Sequence, residues 1–257
     1  MKLSAIIITK DASKRLEDAI KSVKGIVDEI TVVDTGSTDK TINLAKKYTK
    51  NVFEVPLNQD FSIVRNYALS RSVGEWILVL DADEVLSDEL KKQIPELIKH
   101  RTYDGFWFRR RWYIDSKRPA SPTGGYLKYG LFYPDWQLRL FRNSSDIQYI
   151  HRVHEEVTVP SEKTKQIEAD IYHYDSIQKY LSWKGFMQLD GYIRMQAMMH
   201  KEERLSKLTL MGKAVYTFID MFVAGLTRGK GILDGWTGIK AHFFFALSIA
   251  KGYSEAI

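Results

Sequence analysis

Across 257 residues there is not one cysteine, which excludes disulfides, thiolate metal centres and cysteine nucleophiles and fits a reducing compartment. Proline is scarce, with 6 in the whole chain, and no low-complexity tract appears, so disorder is expected only in loops. No apolar run reaches the ~20 residues of a membrane-spanning helix; the longest late one, 241–250, is bracketed by Lys240 and Lys251. The start, Met1 to Lys10, has too short an apolar core for a secretory signal and no small-residue cleavage site, and reads as a strand. Acidic residues are the minority, 32 Asp and Glu against 38 Lys and Arg. The net charge of +6 suits an acidic partner such as a sugar nucleotide, a phosphorylated glycan, an anionic lipid or nucleic acid, without choosing among them.

What is present is enough apolar content, 44% with 27% charged, for a large domain with an appended element. The chain is organised around Trp76 to Glu84, where the run Trp76-Ile77-Leu78-Val79-Leu80 ends in Asp81-Ala82-Asp83-Glu84. Such a run suits a strand buried on both faces of a parallel sheet, with the carboxylates emerging at its carboxyl end, the edge where open α/β sheets bind ligands. Asp81 and Asp83, at i and i+2, share a side of an extended chain, and hard oxygen donors so placed suit Mg²⁺ or Mn²⁺ held together with a substrate's phosphates. Three other readings stay open at this motif. One is a solvated carboxylate cluster that starts the next helix. A calcium loop would need glycine where Leu86 stands. A phosphatase of the haloacid-dehalogenase type, with Asp81 as nucleophile, shares the Asp-x-Asp pattern but opens its fold with this strand and later carries a paired aspartate, and this chain has no Asp-Asp.

In chain order, Leu3 to Ile8 reads as a strand, and Leu16, Ala19, Ile20 and Val23 as one face of a helix closed by Gly25. Ile30 to Asp34 is a second strand, followed by the glycine turn Thr35 to Asp39 and a helix carrying Ile42, Ala45 and Tyr48. Residues 52–55 make a third strand, 62–71 a helix, and 76–80 the fourth strand. This alternation predicts a mostly parallel α/β sheet with right-handed crossovers. It gathers Thr9, Asp34, Asp81 and Asp83 along one rim, the place for a nucleotide, although Asp34 taken alone reads as a turn former before Gly36.

Four ordered segments resemble the successive motifs of inverting family-2 glycosyltransferases with the GT-A fold. They are Ile6 to Lys10, Val32 to Asp39, Arg65-Asn66 ahead of Gly74-Glu75-Trp76, and Asp81 to Glu84. The likeness continues through Gln137 to Arg142, Val153-His154-Glu155 and Tyr172-His173, as in the bacterial branch that includes lipopolysaccharide-core glucosyltransferases. The resemblance implies that Asp34 binds the uracil imide, that Thr9 and Arg65 line the nucleotide pocket, that Asp81 holds the ribose or a metal-bound water, and that Asp83 ligates the metal. Members commonly carry Asn-Glu after the first strand, where Asp11-Ala12 stand here. The resemblance also implies Glu155 as the carboxylate that deprotonates the acceptor hydroxyl. Alternation along a strand over 147–159 would set Val153, Glu155, Val157 and Val159 on one face and His154, Glu156 and Thr158 on the other.

Pro95 is expected to kink or split the helix carrying Leu90, Ile94 and Leu97. Phe106 to Tyr113 mixes aromatics with arginines, but its period of two reads as a half-buried strand with Arg109 and Arg111 outward, able to hold an acceptor phosphate, rather than as a nucleic-acid patch. The stretch 116–130, rich in Pro, Gly and Ser, reads as a mobile loop over the site. His173 is a third metal or diphosphate contact or a structural histidine. The His151-x-x-His154 spacing does not make a zinc pair on a strand, and no cysteine completes it.

The expected domains are 1–175, a GT-A (Rossmann-like) nucleotide-sugar-binding and catalytic domain, and 176–257, a helical region contacting an anionic membrane or a second subunit. The expected activity is metal-dependent, inverting hexosyl transfer from a nucleoside-diphosphate sugar, a UDP-sugar first, to a hydroxyl of a bacterial surface glycan, a lipopolysaccharide core or a lipid-linked precursor. The location that follows is cytoplasmic, peripheral on the inner face of the cell membrane, with no nucleic-acid partner. Two other classes remain, the haloacid-dehalogenase-type phosphatase using Asp81 and a catalytically silent glycan-binding protein that keeps the fold.

Overall fold

All seven residues of β1, Leu3–Thr9, are buried, and the side chains divide by parity. Leu3, Ala5 and Ile7 pack on one side of the sheet with Leu16, Ala19 and Ile20; Ile6 and Ile8 pack on the other with Val64 and Ala68. β4, Trp76–Asp81, divides likewise, with Trp76, Leu78 and Leu80 on the first side and Ile77 and Val79 on the second. Burial on both faces is why these strands read as continuous apolar runs. The computed structural model describes residues 2–58, 60–114, 125–174 and 176–257.

The elements preceding β4 are α1 (Leu16–Val23), β2 (Glu29–Asp34), α2 (Thr41–Ala45), β3 (Asn51–Glu54) and α3 (Phe61–Ser70). After it come β5 (Glu84–Leu86), α4 (Asp88–Leu97), β6 (Gly105–Trp112), β7 (Asp135–Arg142), β8 (Tyr149–Ile150), β9 (Glu156–Val157) and β10 (Thr164–His173). The main sheet is ordered β3-β2-β1-β4-β7-β6-β10-β5. β1, β2, β3 and β4 run parallel, while β7 joins β4 and β5 joins β10 antiparallel. This is a mostly parallel sheet flanked by helices, the GT-A (Rossmann-like) arrangement, followed by the helices α5 (Trp183–Phe186), α6 (Asp190–Glu202), α7 (Lys207–Leu226) and α8 (Gly235–Glu255).

Two compact units form, one from residues 1–110 with 136–173, the other from 111–135 with 174–257. In the second, α8 carries Ala241 and Phe244 into a cluster with Trp112, Phe132, Tyr180 and Phe186.

Several expectations change. Pro95 does not split its helix: α4 runs unbroken to Leu97 with Pro95 inside it. It starts from Ser87, whose hydroxyl accepts the Leu90 N–H at 3.2 Å. Residues 147–159 are not one strand but the hairpin β8–β9, paired Tyr149 to Val157 and Ile150 to Glu156. Its turn places His151 and His154 at positive φ, 69° and 52°. α7 is an unbroken helix of 20 residues, long and apolar enough by length and composition to cross a membrane; Lys213 and Asp220 had divided its sequence into shorter runs. Of the expected loop, 116–124 lies outside the described residues. Beyond it Tyr126 bridges to Tyr113 and Leu127 is buried.

Candidate active site

The carboxyl ends of β1, β2 and β4 form a continuous rim because their registers are matched: Thr9 sits opposite Asp34, and Ile8 opposite Asp81. At the β2 end, Asp34 is buried and Oδ1 accepts the Gly36 and Ser37 N–H groups at 2.9 and 2.7 Å, while Oδ2 accepts the Ser37 hydroxyl. Gly36 takes φ 105°, a conformation glycine adopts without cost. The next loop is tied across: Asp11 Oδ1 accepts the Thr38 N–H at 2.7 Å, and Thr41 Oγ1 accepts the Ala12 N–H at 2.8 Å. Asp11-Ala12, the departure from the usual Asn-Glu, thus lies in a loop fixed by hydrogen bonds. Thr9 Oγ1 is buried and has no hydrogen-bond partner among the described residues.

At the β4 end, three arginines and three carboxylates interlock. Arg65, on α3, donates from Nε to Glu155 Oε1 at 2.5 Å and from Nη2 to Asp81 Oδ1 at 3.0 Å. Arg139, in the middle of β7, donates from Nη2 to Asp81 Oδ2 at 2.8 Å and Glu84 Oε1 at 2.7 Å. Arg110 approaches Glu84 at 3.4 Å, and Glu84 Oε2 accepts the Asp81 N–H at 3.0 Å. Glu84 has 0% exposure, a charge tolerable only because it is multiply paired. Burial pushes the Asp81 carboxyl up, but the guanidiniums of Arg139, Arg65 and Arg110, with His173, outweigh it and hold Asp81 well below the usual carboxylate range. Burial raises the Tyr149 phenol to about 12 despite the nearby Arg65 and Arg139; Arg65 lies over its ring, 5.4 Å from the centroid.

Beyond this cluster, β5 pairs with β10 so that Glu84 lies opposite His173. That brings His173 Nε2 within 3.3 Å of Asp83 Oδ2. An imidazole nitrogen and a carboxylate oxygen fit Mn²⁺ or Mg²⁺, whereas both Asp81 oxygens are engaged by arginines. No set of three His, Asp or Glu side chains is assembled for a metal among the described residues, and an ion that takes its remaining ligands from substrate phosphates and water requires none.

The structure therefore draws Arg65, Asp81, Glu155, Asp83 and His173 together and leaves Thr9 and Asp34 farther along the rim. Glu155 is held inward while its neighbours His154 and Glu156 are exposed, the sides expected, although a hairpin turn and not strand alternation sets them. Asn66 fixes that hairpin to α3, donating to Tyr149 O at 2.8 Å and accepting from Tyr149 N at 2.7 Å. Arg109 is committed to Asp170 at 3.0 Å and to the Glu168 carbonyl at 2.8 Å. In the other unit, Arg111 lies over the rings of Tyr126 and Tyr133. The roles of Arg139, Glu84 and Arg110 were not drawn from the sequence. An arginine flanked by Leu138 and Leu140 in an apolar strand was the available signal, since arginine is buried only with carboxylates.

Residues 4–155 match the model of glycosyl transferase family 2. The chain belongs to that family. The glycosyl transferase 2 segment carries the rim, the arginine cluster and Glu155, and the match favours glycosyl transfer over the phosphatase reading of Asp81. An uncharacterized glycosyltransferase of Rickettsia felis is 41% identical over 105 residues, 41% of this chain and 37% of that protein. The SPbeta prophage-derived glycosyltransferase SunS of Bacillus subtilis is 30% identical over 158 residues, 58% of this chain and 33% of SunS. The chain thus spans about a third of the length of these family relatives. Among solved structures it is similar to S. aureus TarS 1-349 in complex with UDP-GlcNAc, with 15% identity and TM-score 0.49 over 98% of this chain and 90% of that one. It is also similar to glucosyl-3-phosphoglycerate synthase from Mycobacterium tuberculosis with Mg²⁺ and UDP, with 20% identity and TM-score 0.36 over 43% of each chain.

Proposed function

We propose that the protein is a metal-dependent, inverting glycosyltransferase that moves a hexose from a nucleoside-diphosphate sugar, a UDP-sugar first, to a hydroxyl of a bacterial surface glycan or lipopolysaccharide-core acceptor. The observation that carries the reading is the joining of Arg65, Asp81, Arg139 and Glu155 in one buried network at the sheet rim, within the family segment. In this reading Asp34 and Thr9 take the base; the unpartnered Thr9 hydroxyl is a polar group for which a ligand atom is the natural partner. Arg65 Nη1 and Arg139 Nε are also buried without partners among the described residues, and these donors suit phosphate oxygens.

Three guanidiniums against three carboxylates leave the network balanced, so an arriving diphosphate brings negative charge that the network does not neutralise. A divalent ion held by Asp83 and His173 would neutralise that charge and ease departure of the diphosphate. Glu155 accepts the acceptor hydroxyl's proton as that oxygen attacks the anomeric carbon from the side opposite the leaving group. Arg65, bound to both Glu155 and Asp81, orients the base relative to the donor site. In this reading the reaction runs on the cytoplasmic side, at the inner face of the cell membrane.

Calorimetric titration with UDP and GDP, with and without Mn²⁺, tests the reading. Metal-dependent UDP binding is expected, and no nucleotide binding under either condition would overturn it.

A further inference from the structure

The outward face of α7 is apolar from end to end. Leu208, Met211, Val215, Tyr216, Ile219 and Val223 are all exposed, Leu208 to 80% and Tyr216 to 69%. They recur at the three- and four-residue spacing that keeps one side of a helix in line. The opposite side, with Leu210, Ala214 and Gly225, is buried, and Phe218 and Phe222 meet Phe243 of α8 edge-on at 5.7 and 5.9 Å. A helix that packs one side on its protein normally turns charged residues outward. Here the charged residues inside the helix point elsewhere, Lys213 to Glu203 at 3.0 Å and Asp220 to Arg228 at 3.0 Å. Past the helix end in the chain, Ile232, Leu233 and Trp236 are exposed as well.

Its charged surroundings decide the occupant. Lys207 opens the helix, and Arg228, Lys230 and Lys240 follow its end; all four are exposed, and Lys240 lies 5.9 Å from the Trp236 ring centroid. Three acids near this face are already engaged, Glu203 by Lys213 and Asp220 by Arg228, and Asp234 by the Lys128 and Tyr129 N–H groups. A second copy of the chain would bring its own cations against these, whereas an anionic bilayer offers acyl chains to the apolar face and headgroup charge to its basic ends. Tyr216 and Trp236 join apolar bodies to polar tips, as the headgroup boundary favours. Because α8 covers one side of α7, the helix can lie in the interface plane without crossing the bilayer.

We infer that α7, with Ile232, Leu233 and Trp236, is a docking surface for an anionic lipid bilayer, the face through which the membrane contact of the proposed function is made. The test is co-sedimentation of the full chain with vesicles of phosphatidylcholine alone and of equal parts phosphatidylcholine and phosphatidylglycerol. Binding to the mixed vesicles, weakened at high salt, is expected. The double variant Val215→Glu, Ile219→Glu should bind on the order of tenfold or more weakly, with its far-ultraviolet circular dichroism and melting temperature unchanged. The milder Ile219→Ser should show an intermediate loss and covers the case where the double variant folds poorly. Parent-like vesicle binding by Ile219→Ser and the double variant would overturn the inference. So would a parent that ignores both vesicles and elutes as a dimer which Ile219→Ser dissociates, since the occupant would then be a second copy. UDP titration of the same variants is expected to match the parent, so a failure of docking and a failure of the nucleotide reading stay distinguishable.

Discussion

Arg65 and Glu155, ninety positions apart, meet at 2.5 Å between Nε and Oε1. The same guanidinium holds Asp81, so one side chain ties the carboxylate of the hairpin turn to the end of the central strand. An arginine so placed fixes where Glu155 points and must yield some of its hold when that carboxylate takes a proton.

Glu155→Gln keeps the hydrogen bond from Arg65 but cannot accept a proton, so UDP binding should survive while transfer falls by a factor on the order of 10² to 10⁴. Glu156→Gln, on the exposed side of the turn, should stay close to the parent. Single-turnover transfer beside calorimetric UDP titration checks both, and a larger loss in Glu156→Gln would reassign the base.

Asp83→Ala and His173→Ala should each weaken Mn²⁺-dependent UDP binding and leave the melting temperature near the parent's. Titrating Mn²⁺ against each variant at fixed UDP measures this. Parent-like metal dependence in both would remove the ion from this pair.

Glu84→Ala deletes a fully buried carboxylate and leaves Arg139 and Arg110 short of a partner, a change that costs about 3–5 kcal/mol. Urea unfolding should show that loss, and Glu84→Gln, which retains shape and an acceptor oxygen, should lose less. Equal, small losses in both would mean the buried charge is not needed.

His242 should make stability acid-sensitive. The ring is fully buried, accepts the Leu131 N–H at Nε2, 3.0 Å away, and so carries its proton on Nδ1, facing the Gly238 carbonyl at 2.7 Å. Burial lowers its pKa, against the Gly238 hydrogen bond and the charge of Asp234, which raise it. The unfolded chain therefore binds this proton first as pH falls. The stability His242 contributes is present above the ordinary histidine value of about 6.5 and is lost as pH drops below it. Unfolding free energy measured from pH 8 to 5 should fall more steeply in the parent than in His242→Gln, and parallel curves would contradict the assignment.

Gly225 lets that ring approach the backbone: a Cβ there would lie 2.2 Å from His242 Cδ2. Gly225→Ala should lower the melting temperature by several degrees, as an overpacked core site does. An unchanged melting temperature would show that the imidazole can move aside.

The sequence by itself determined the sheet's central half, because β1 and β4 are buried on both faces and must be apolar throughout. It placed Thr9, Asp34 and Asp81 at strand ends, since an apolar run can stop in a carboxylate only where the strand leaves the core. The helical C-terminal stretch was legible from its long apolar runs. Tertiary structure alone decided the partners. Arg139 reaches Asp81 because β7 enters antiparallel beside β4, and His173 reaches Asp83 because β10 pairs with β5; no local pattern records which distant strands become neighbours. It also replaced the expected 147–159 strand with a hairpin, where positive φ at His151 and His154 defeats alternation. The apolar side of α7 emerged only once Lys213 and Asp220 were seen turned to its flanks, because the polarity of a helix face depends on which side the rest of the chain covers.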